Sequence, residues 1–446
     1  MFSGFIPRSL PTFGFGRGGS GEPIKIPAVE IHDVELLSDK RGRRLKHLLR
    51  LNHATFSILY NHLRFHNHTP HHLGSGYLLG GTAEHLNDIY EDTVANDTHD
   101  PWVDSPSEIA IHDYRDYLGK REYQRAWVDF FEDQLVLDGY EWKEVVGRFL
   151  YERGSKGSAT EWPLFNALVA GLGHPLIHLG YAFELNSREV AMEALGLAAT
   201  CYDPKLAGLL ERAPATQPPD ATNDLFEVFD RVHGDKRLDG IFDEYGGDNL
   251  SRLLADEKLT SILLEHWSSW KIVDPTKDFA QSQQLATNLL IASGPSVGGH
   301  GYDFFLVHLL TTSHAVRILI PFIPAEYHVK LVREWLLITI AIYIAQLRPA
   351  VKKSFVTDFD LKGRDWEFAE RTALEGKKKF DAHFVKAIRA MKEAHKLWGD
   401  PKGAENFFLK AAVRLASEFD GWGGFGAEDE EAERDVEEEL KRRRAR

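Results

Sequence analysis

Seven of the chain's 21 histidines fall between His53 and His85. The densest stretch is Phe65-His66-Asn67-His68-Thr69-Pro70-His71-His72-Leu73. Pro70 suits the first turn of a helix, where its missing N–H has no intrahelical partner to lose. A helix starting there puts His68 four residues from His72 and three from His71. Either pair could chelate one metal ion from a single face. The helix start is uncertain by a residue or two, so the choice among His66, His68, His71 and His72 stays open at this level. A second pair, His174 and His178 in His174-Pro175-Leu176-Ile177-His178-Leu179-Gly180-Tyr181, repeats the four-residue spacing beside a proline. Gly171 and Gly173 just upstream permit close backbone approach. A third segment, Tyr302-Asp303-Phe304-Phe305-Leu306-Val307-His308-Leu309-Leu310, embeds His308 in an apolar helix. Alone, such a histidine reads as a hydrogen-bonded core residue. Beside two H-x-x-x-H pairs it reads as a contributor to a shared ion, and neutral imidazole suits iron, zinc, copper or nickel.

These segments carry no carboxylate in the usual two-histidine-one-carboxylate arrangement. That draws attention to Lys377. From Trp366 the apolar positions run Ala369, Ala373, Phe380, Phe384, Ile388 and Met391, and Lys377 falls on that stripe. A lysine facing a core must be paired, neutralised or modified. A neutral amine can add carbon dioxide to give a carbamate, an anionic oxygen donor. Periodicity alone favours the plainer reading, in which Lys377 snorkels its ammonium to the surface.

Other motifs lack their structural frame. Gly14-Phe15-Gly16-Arg17-Gly18-Gly19 fits a dinucleotide fingerprint, but a Pro-rich arm stands where the strand should be. Gly294-Pro295-Ser296-Val297-Gly298 fits a nucleophile elbow. A serine hydrolase using Ser296 is therefore the rival enzyme reading, although the chain supplies no alternating strand–helix units around it. The pairs His32-Asp33, His99-Asp100 and His112-Asp113 read as solvated loop residues. A helical interaction protein with a charged tail is the non-enzymatic alternative.

The elements that must position the histidines read as helices. Leu45, Leu48, Leu49, Phe56, Leu59, Tyr60 and Leu63 follow three- and four-residue steps, as do Trp142, Val145, Val146, Phe149 and Leu150. The expectation is an all-α fold. It comprises a flexible arm over 1–27, one large helical domain over 28–425 with a metal site in the bundle core, a linker-like insertion at 211–223 and a charged tail over 426–446. With 53 Lys+Arg against 67 Asp+Glu the net charge is −14, which argues against a nucleic-acid binder. The single cysteine, Cys201, excludes an intramolecular disulfide framework or a multi-cysteine metal site from one chain. It points to a reducing, cytoplasmic setting. The most apolar run, Trp335 to Leu347, is shorter than the roughly 20 residues of a bilayer span and reads as a buried helix.

Taken together, Phe65-His66-Asn67-His68 with His71-His72-Leu73, His174-Pro175-Leu176-Ile177-His178-Leu179-Gly180-Tyr181 and Phe304-Phe305-Leu306-Val307-His308 resemble the questin oxidase-like family of fungal polyketide pathways, over roughly residues 45 to 390. The resemblance implies oxidative opening of the quinone ring of an anthraquinone, or of its reduced hydroquinone, an activity viewed as Baeyer–Villiger-type. It is nearest the branch understood as non-haem iron dioxygenases with histidine ligands and a carbamylated lysine. Carried over by position, the ligands to Fe(II) would come from His68, His72, His174, His178 and His308, with Lys377 as the carbamate formed from carbon dioxide. The resemblance also implies a polycyclic aromatic substrate and O2. Without a dinucleotide fold, reduced nicotinamide (NADPH) would act elsewhere, through a separate reductase.

Overall fold

The computed structural model of the chain describes residues 22–95, 99–154, 160–212, 217–399 and 406–427. Among the described residues the protein is all-α, as expected. It has nineteen α-helices, short 3-10 turns and four two-residue strands. The glycine-rich motif at Gly14–Gly19 and nearly all of the charged tail lie outside the described residues. Of the expected arm, residues 22–27 lie against the body: Ile24 is buried, and the Lys25 N–H donates to Thr276 Oγ1 at 2.9 Å. Within the linker-like insertion, Thr222 exchanges backbone hydrogen bonds with Ser269 and Lys271.

Helix α1 (Lys40–Thr55) begins where the Asp39 carboxylate accepts the Arg41 and Gly42 N–H groups, and it buries Leu45, Leu48 and Leu49. The apolar steps from Leu45 to Leu63 predict one continuous helix, but the helix stops at Thr55. Phe56 turns extended and bridges Pro101, and Asn61, His62 and Leu63 adopt positive φ. They close a hairpin between β1 (Leu59–Tyr60) and β2 (Phe65–His66). Tertiary pairing overrides the helical period here, and the hairpin delivers the chain to the first histidine helix.

Helix α2 (Thr69–Leu78) has Pro70 in its first turn and His68 at its N-cap. Helix α3 (His174–Leu185) is buried along its whole length and leads into α4 (Arg188–Thr200). A second short pairing joins β3 (Tyr302–Asp303) to β4 (Trp422–Gly423) in parallel. Asp303 then caps α5 (Phe304–Leu319), accepting from the Phe305 and Leu306 N–H groups at 2.7 and 2.9 Å. Helix α6 (His328–Ala345) carries the long apolar run, buried from Trp335 onward as expected. Among the described residues no helix is long and apolar enough to cross a membrane.

Helices α7 (Trp366–Glu375) and α8 (Ala382–Trp398) complete the frame. The stripe from Ala369 to Met391 predicts one helix through Lys377. Instead α7 ends before Gly376, and α8 restarts at Asp381, whose carboxylate accepts the Phe384 N–H at 2.9 Å. Ala369 and Ala373 are buried on α7, and Phe384, Ile388 and Met391 on α8, while the turn between them faces outward. Helices α2, α3, α5 and α8 pack against one another in the interior. The absence of a side chain at Gly180 brings α3 close to α5, since a Cβ there would sit 3.2 Å from the Ala315 Cβ.

Candidate metal centre

Each of the four interior helices presents one histidine near its N-terminal end. His68, His174, His308 and His383 each offer a ring nitrogen, and these four atoms lie within 4.8 Å of one another. His174 Nε2 lies 2.8 Å from His68 Nε2, and His383 Nε2 lies 3.2 Å from His308 Nε2. Neighbouring ligands on one cation with bonds of about 2.0–2.1 Å stand roughly 2.9–3.3 Å apart, so these spacings suit a shared ion.

The backbone sets the tautomers. The Nδ1–H of His174 donates to the Gly171 carbonyl at 2.7 Å, and the Nδ1–H of His308 donates to the Phe304 carbonyl at 2.7 Å. Both rings therefore turn a bare Nε2 lone pair into the cluster, the outer hydrogen bond orienting the inner donor. The Gly171 carbonyl is in place because the turn before α3 is left-handed at Gly171, Leu172 and Gly173. A Cβ at Gly173 would collide with the Thr312 methyl of α5.

Burial, partial at His68 and nearly complete at the other three, holds the four rings neutral, the form that binds a metal. It pushes His68, His174 and His383 well below the usual histidine range, with the Lys386 charge or neighbouring imidazoles adding to it. His308 is lowered to about 3 by burial and then by Lys386.

Lys386 is the lysine that faces the core. It is 2 % exposed, its Nζ has no hydrogen-bond partner, and burial pushes it down to about 7 against the opposing charge of Asp381. It follows His383 by three residues on α8, so the two share a face. Lys377 is exposed in the turn after α7. Its assignment to the buried stripe is corrected because Gly376 ends the helix whose period it seemed to follow.

Two other expected ligands lie outside the four-nitrogen group. His72 Nε2 meets the Lys379 carbonyl at 3.0 Å. His178 stands behind His71: His71 Nε2 is 2.7 Å from His178 Nδ1, and His178 Nε2 is 2.9 Å from Glu193 Oε2 on α4. The row continues through Glu193 Oε1 to His53 Nδ1, and from His53 Nε2 to Glu132 Oε1, both at 2.8 Å. Burial pushes the Glu193 carboxyl up, but the hydrogen bonds from His178 and His53 outweigh it and hold it at about 2. An ionised Glu193 accepts from His178 Nε2–H. His178 Nδ1 then accepts from His71 Nε2–H, which leaves His71 Nδ1 as a buried lone pair with no partner. His66 stacks on His174 at 3.8 Å between ring centroids and contacts Cys201 Sγ at 3.4 Å.

His383 is the ligand candidate that sequence reasoning missed. It has no histidine partner at helical spacing within its own segment, and its signal was Asp381 as an N-cap with His383 in the first turn. The four sites of the cluster share one trait: each histidine sits at or near a helix start.

An aromatic wall flanks the centre. The Phe304 ring lies 5.0 Å from His308 and 4.7 Å from His383, with Phe425 at 5.1 Å from Phe304 and Trp422 at 6.1 Å from His383. Ser296 is exposed in a 3-10 turn between helices, without the strand that a nucleophile elbow requires. His99 is buried, stacked on Tyr60 at 4.5 Å, rather than solvated; His112 is exposed as expected.

The chain is similar to several fungal proteins. It is 26% identical over 406 residues to a Baeyer-Villiger monooxygenase of Aspergillus aculeatus, covering 82% of each chain. It is 25% identical over 361 residues to a Baeyer-Villiger oxidase of Paecilomyces divaricatus, covering 77% of each. With a questin oxidase of Aspergillus fumigatus it shares 23% identity over 391 residues, 82% of this chain and 85% of the other. The family model described as questin oxidase-like matches residues 65–391, a span that contains all four clustered histidines and Lys386. The chain belongs to the questin oxidase-like family.

Proposed function

We propose that this protein is an oxygenase that opens the quinone ring of an anthraquinone, or of its hydroquinone, at an iron(II) ion held by His68, His174, His308 and His383. The observation that carries the reading is the convergence of four neutral imidazoles, two with tautomers set by backbone carbonyls, in a buried site. The names of the relatives, questin oxidase and Baeyer-Villiger oxidase, supply the substrate class and the reaction. Bound there, iron(II) would supply the electron transfer that lets ground-state dioxygen react with a closed-shell aromatic ring.

Four neutral imidazoles leave the charge of a divalent ion uncompensated in a buried pocket, which is costly. Lys386 is placed to supply an anion. Its neutral amine forms an N–C bond to carbon dioxide, the N–H proton leaves to solvent, and the product is a carbamate one helical turn from His383. Phe304, Trp422 and Phe425 offer flat faces on which a polycyclic substrate can stack. His71 Nδ1 offers an acceptor that can orient a phenolic hydroxyl. Reduced nicotinamide would act through a separate reductase that reduces the quinone before it reaches this site.

The test is turnover of iron(II)-loaded protein with a chemically reduced anthraquinone under 18O2. Ring-opened product carrying the label supports the reading. Ring opening that proceeds equally in metal-free protein overturns it.

A further inference from the structure

One helical turn beyond Lys386 on α8, the same helices build a second polar group outside the four-histidine cluster. Arg389 on α8 is 2 % exposed and pairs with Glu184 of α3 through one nitrogen. Its Nε and Nη1 have no partner. His314 and Arg317 of α5 are each 5 % exposed. Both ring nitrogens of His314 and the Nε of Arg317 are also without a partner, as is Glu184 Oε2. These side chains lie close enough to feel one another's charge: Arg389 and Arg317 act on His314, and both act on Glu184. The segment before α1 covers them. Arg317 donates to the Pro27 carbonyl at 3.1 Å, and the His32 N–H donates to the Glu184 carbonyl at 2.8 Å.

A buried polar atom left unpaired is destabilising, and several around one point call for a ligand that pairs them together. The free groups are mostly donors: two from Arg389, one from Arg317 and one N–H of His314. Three cations, Arg389, Arg317 and Lys396, face two carboxylates, Glu184 and Glu393, the latter ion-paired to Lys396 at 2.6 Å, so one positive charge stays uncompensated. Planar guanidinium groups match planar oxyanions better than they match chloride or a cation.

We infer that Arg389, Arg317 and His314 form a buried binding site for a small planar oxyanion of the carboxylate or bicarbonate type. The oxyanion reaches it either free or as a substituent of a larger ligand. The site does not depend on which metal, if any, the four histidines hold.

The test is calorimetric titration of the full-length protein, iron-free and iron-loaded, with sodium formate, acetate and bicarbonate against sodium chloride at equal ionic strength. The expected result is one saturable site per chain in both metal states for formate and acetate, and for bicarbonate in Lys386→Ala, where no carbamate can form. Affinity falls about tenfold or more in Arg317→Met and in His314→Phe, and it is unchanged in His308→Ala. Should Arg317→Met not fold, His314→Phe decides alone. Acetate that raises the KM of the aromatic substrate assigns the oxyanion to the substrate; acetate that leaves KM unchanged assigns it to a free anion. Absence of saturable binding, binding undiminished in His314→Phe, or binding lost in His308→Ala overturns the inference.

Discussion

His308 and His383 meet Nε2 to Nε2 at 3.2 Å across helices α5 and α8, although 75 residues separate them in sequence. The contact joins an expected ligand to one that its own segment does not announce. It also explains why α8 begins where it does. The Asp381 cap starts the helix two residues before His383, so the ring projects from the first turn into the bundle.

His383→Ala and His308→Ala are each expected to lose bound iron, with metal affinity reduced at least a hundredfold, since even residues outside the ligand set cost about 10–100-fold. His72→Ala, whose ring meets a backbone carbonyl instead, is expected to keep its metal. Metal content of purified variants by plasma mass spectrometry checks this. Loss of iron from His72→Ala with retention in His383→Ala would reverse the assignment.

The two lysines separate cleanly. Lys386→Ala is expected to abolish turnover, and Lys377→Ala to leave it near normal, because Lys377 is exposed in a turn. Protein prepared in 13C-bicarbonate should show a carbamate carbon resonance that is absent from Lys386→Ala. A resonance that persists in Lys386→Ala and vanishes in Lys377→Ala would restore the lysine first read from the stripe.

Glu193 fixes the proton positions along His178 and His71. Glu193→Gln can donate to His178 Nε2 and so reverse the row, placing a hydrogen on His71 Nδ1. Turnover is expected to fall about 10–100-fold, the range for lost outer partners, while iron content stays unchanged. Steady-state kinetics alongside metal analysis distinguish this from ligand loss; equal falls in both would make Glu193 a determinant of metal binding instead.

The same row gives a pH signature to stability. Burial lowers His53, but the Glu132 and Glu193 carboxylates outweigh it and raise it to about 10 from an ordinary 6.5. A raised folded-state value means the stabilisation is complete below pH 6.5 and is lost as pH climbs through 10. Glu193, held at about 2, contributes above its ordinary 4.5 and fades as pH falls through 2. His53→Gln should therefore cost more stability at pH 6 than at pH 10, measured by urea denaturation. An equal cost at both would show that His53 is not charged in the fold.

Much of the site was legible because each ligand helix carries local punctuation. Pro70 and Pro175 mark helix starts, and His68, His174 and His308 sit in distinctive apolar or histidine-rich runs. What failed was continuity. Spacing assumes an unbroken helix, so it joined Ala369 to Met391 across Gly376 and gave Lys377 a burial that belongs to Lys386. It also carried the α1 stripe into a hairpin at Phe56. The four-residue spacing groups His72 with His68 and His178 with His174, because each pair shares a helix face. That face is wide enough to hold one ring in the cluster and the next behind it. Which ring goes where depends on the Lys379 carbonyl, 307 residues from His72, and on Glu193, 15 residues from His178 on the next helix.

The most direct measurement is anomalous diffraction at the iron edge from crystals of iron(II)-loaded protein. The account predicts a single strong peak within bonding distance of ring nitrogens from His68, His174, His308 and His383. A peak bound instead by His72 or His178, or no peak among the four rings at full iron loading, would contradict it.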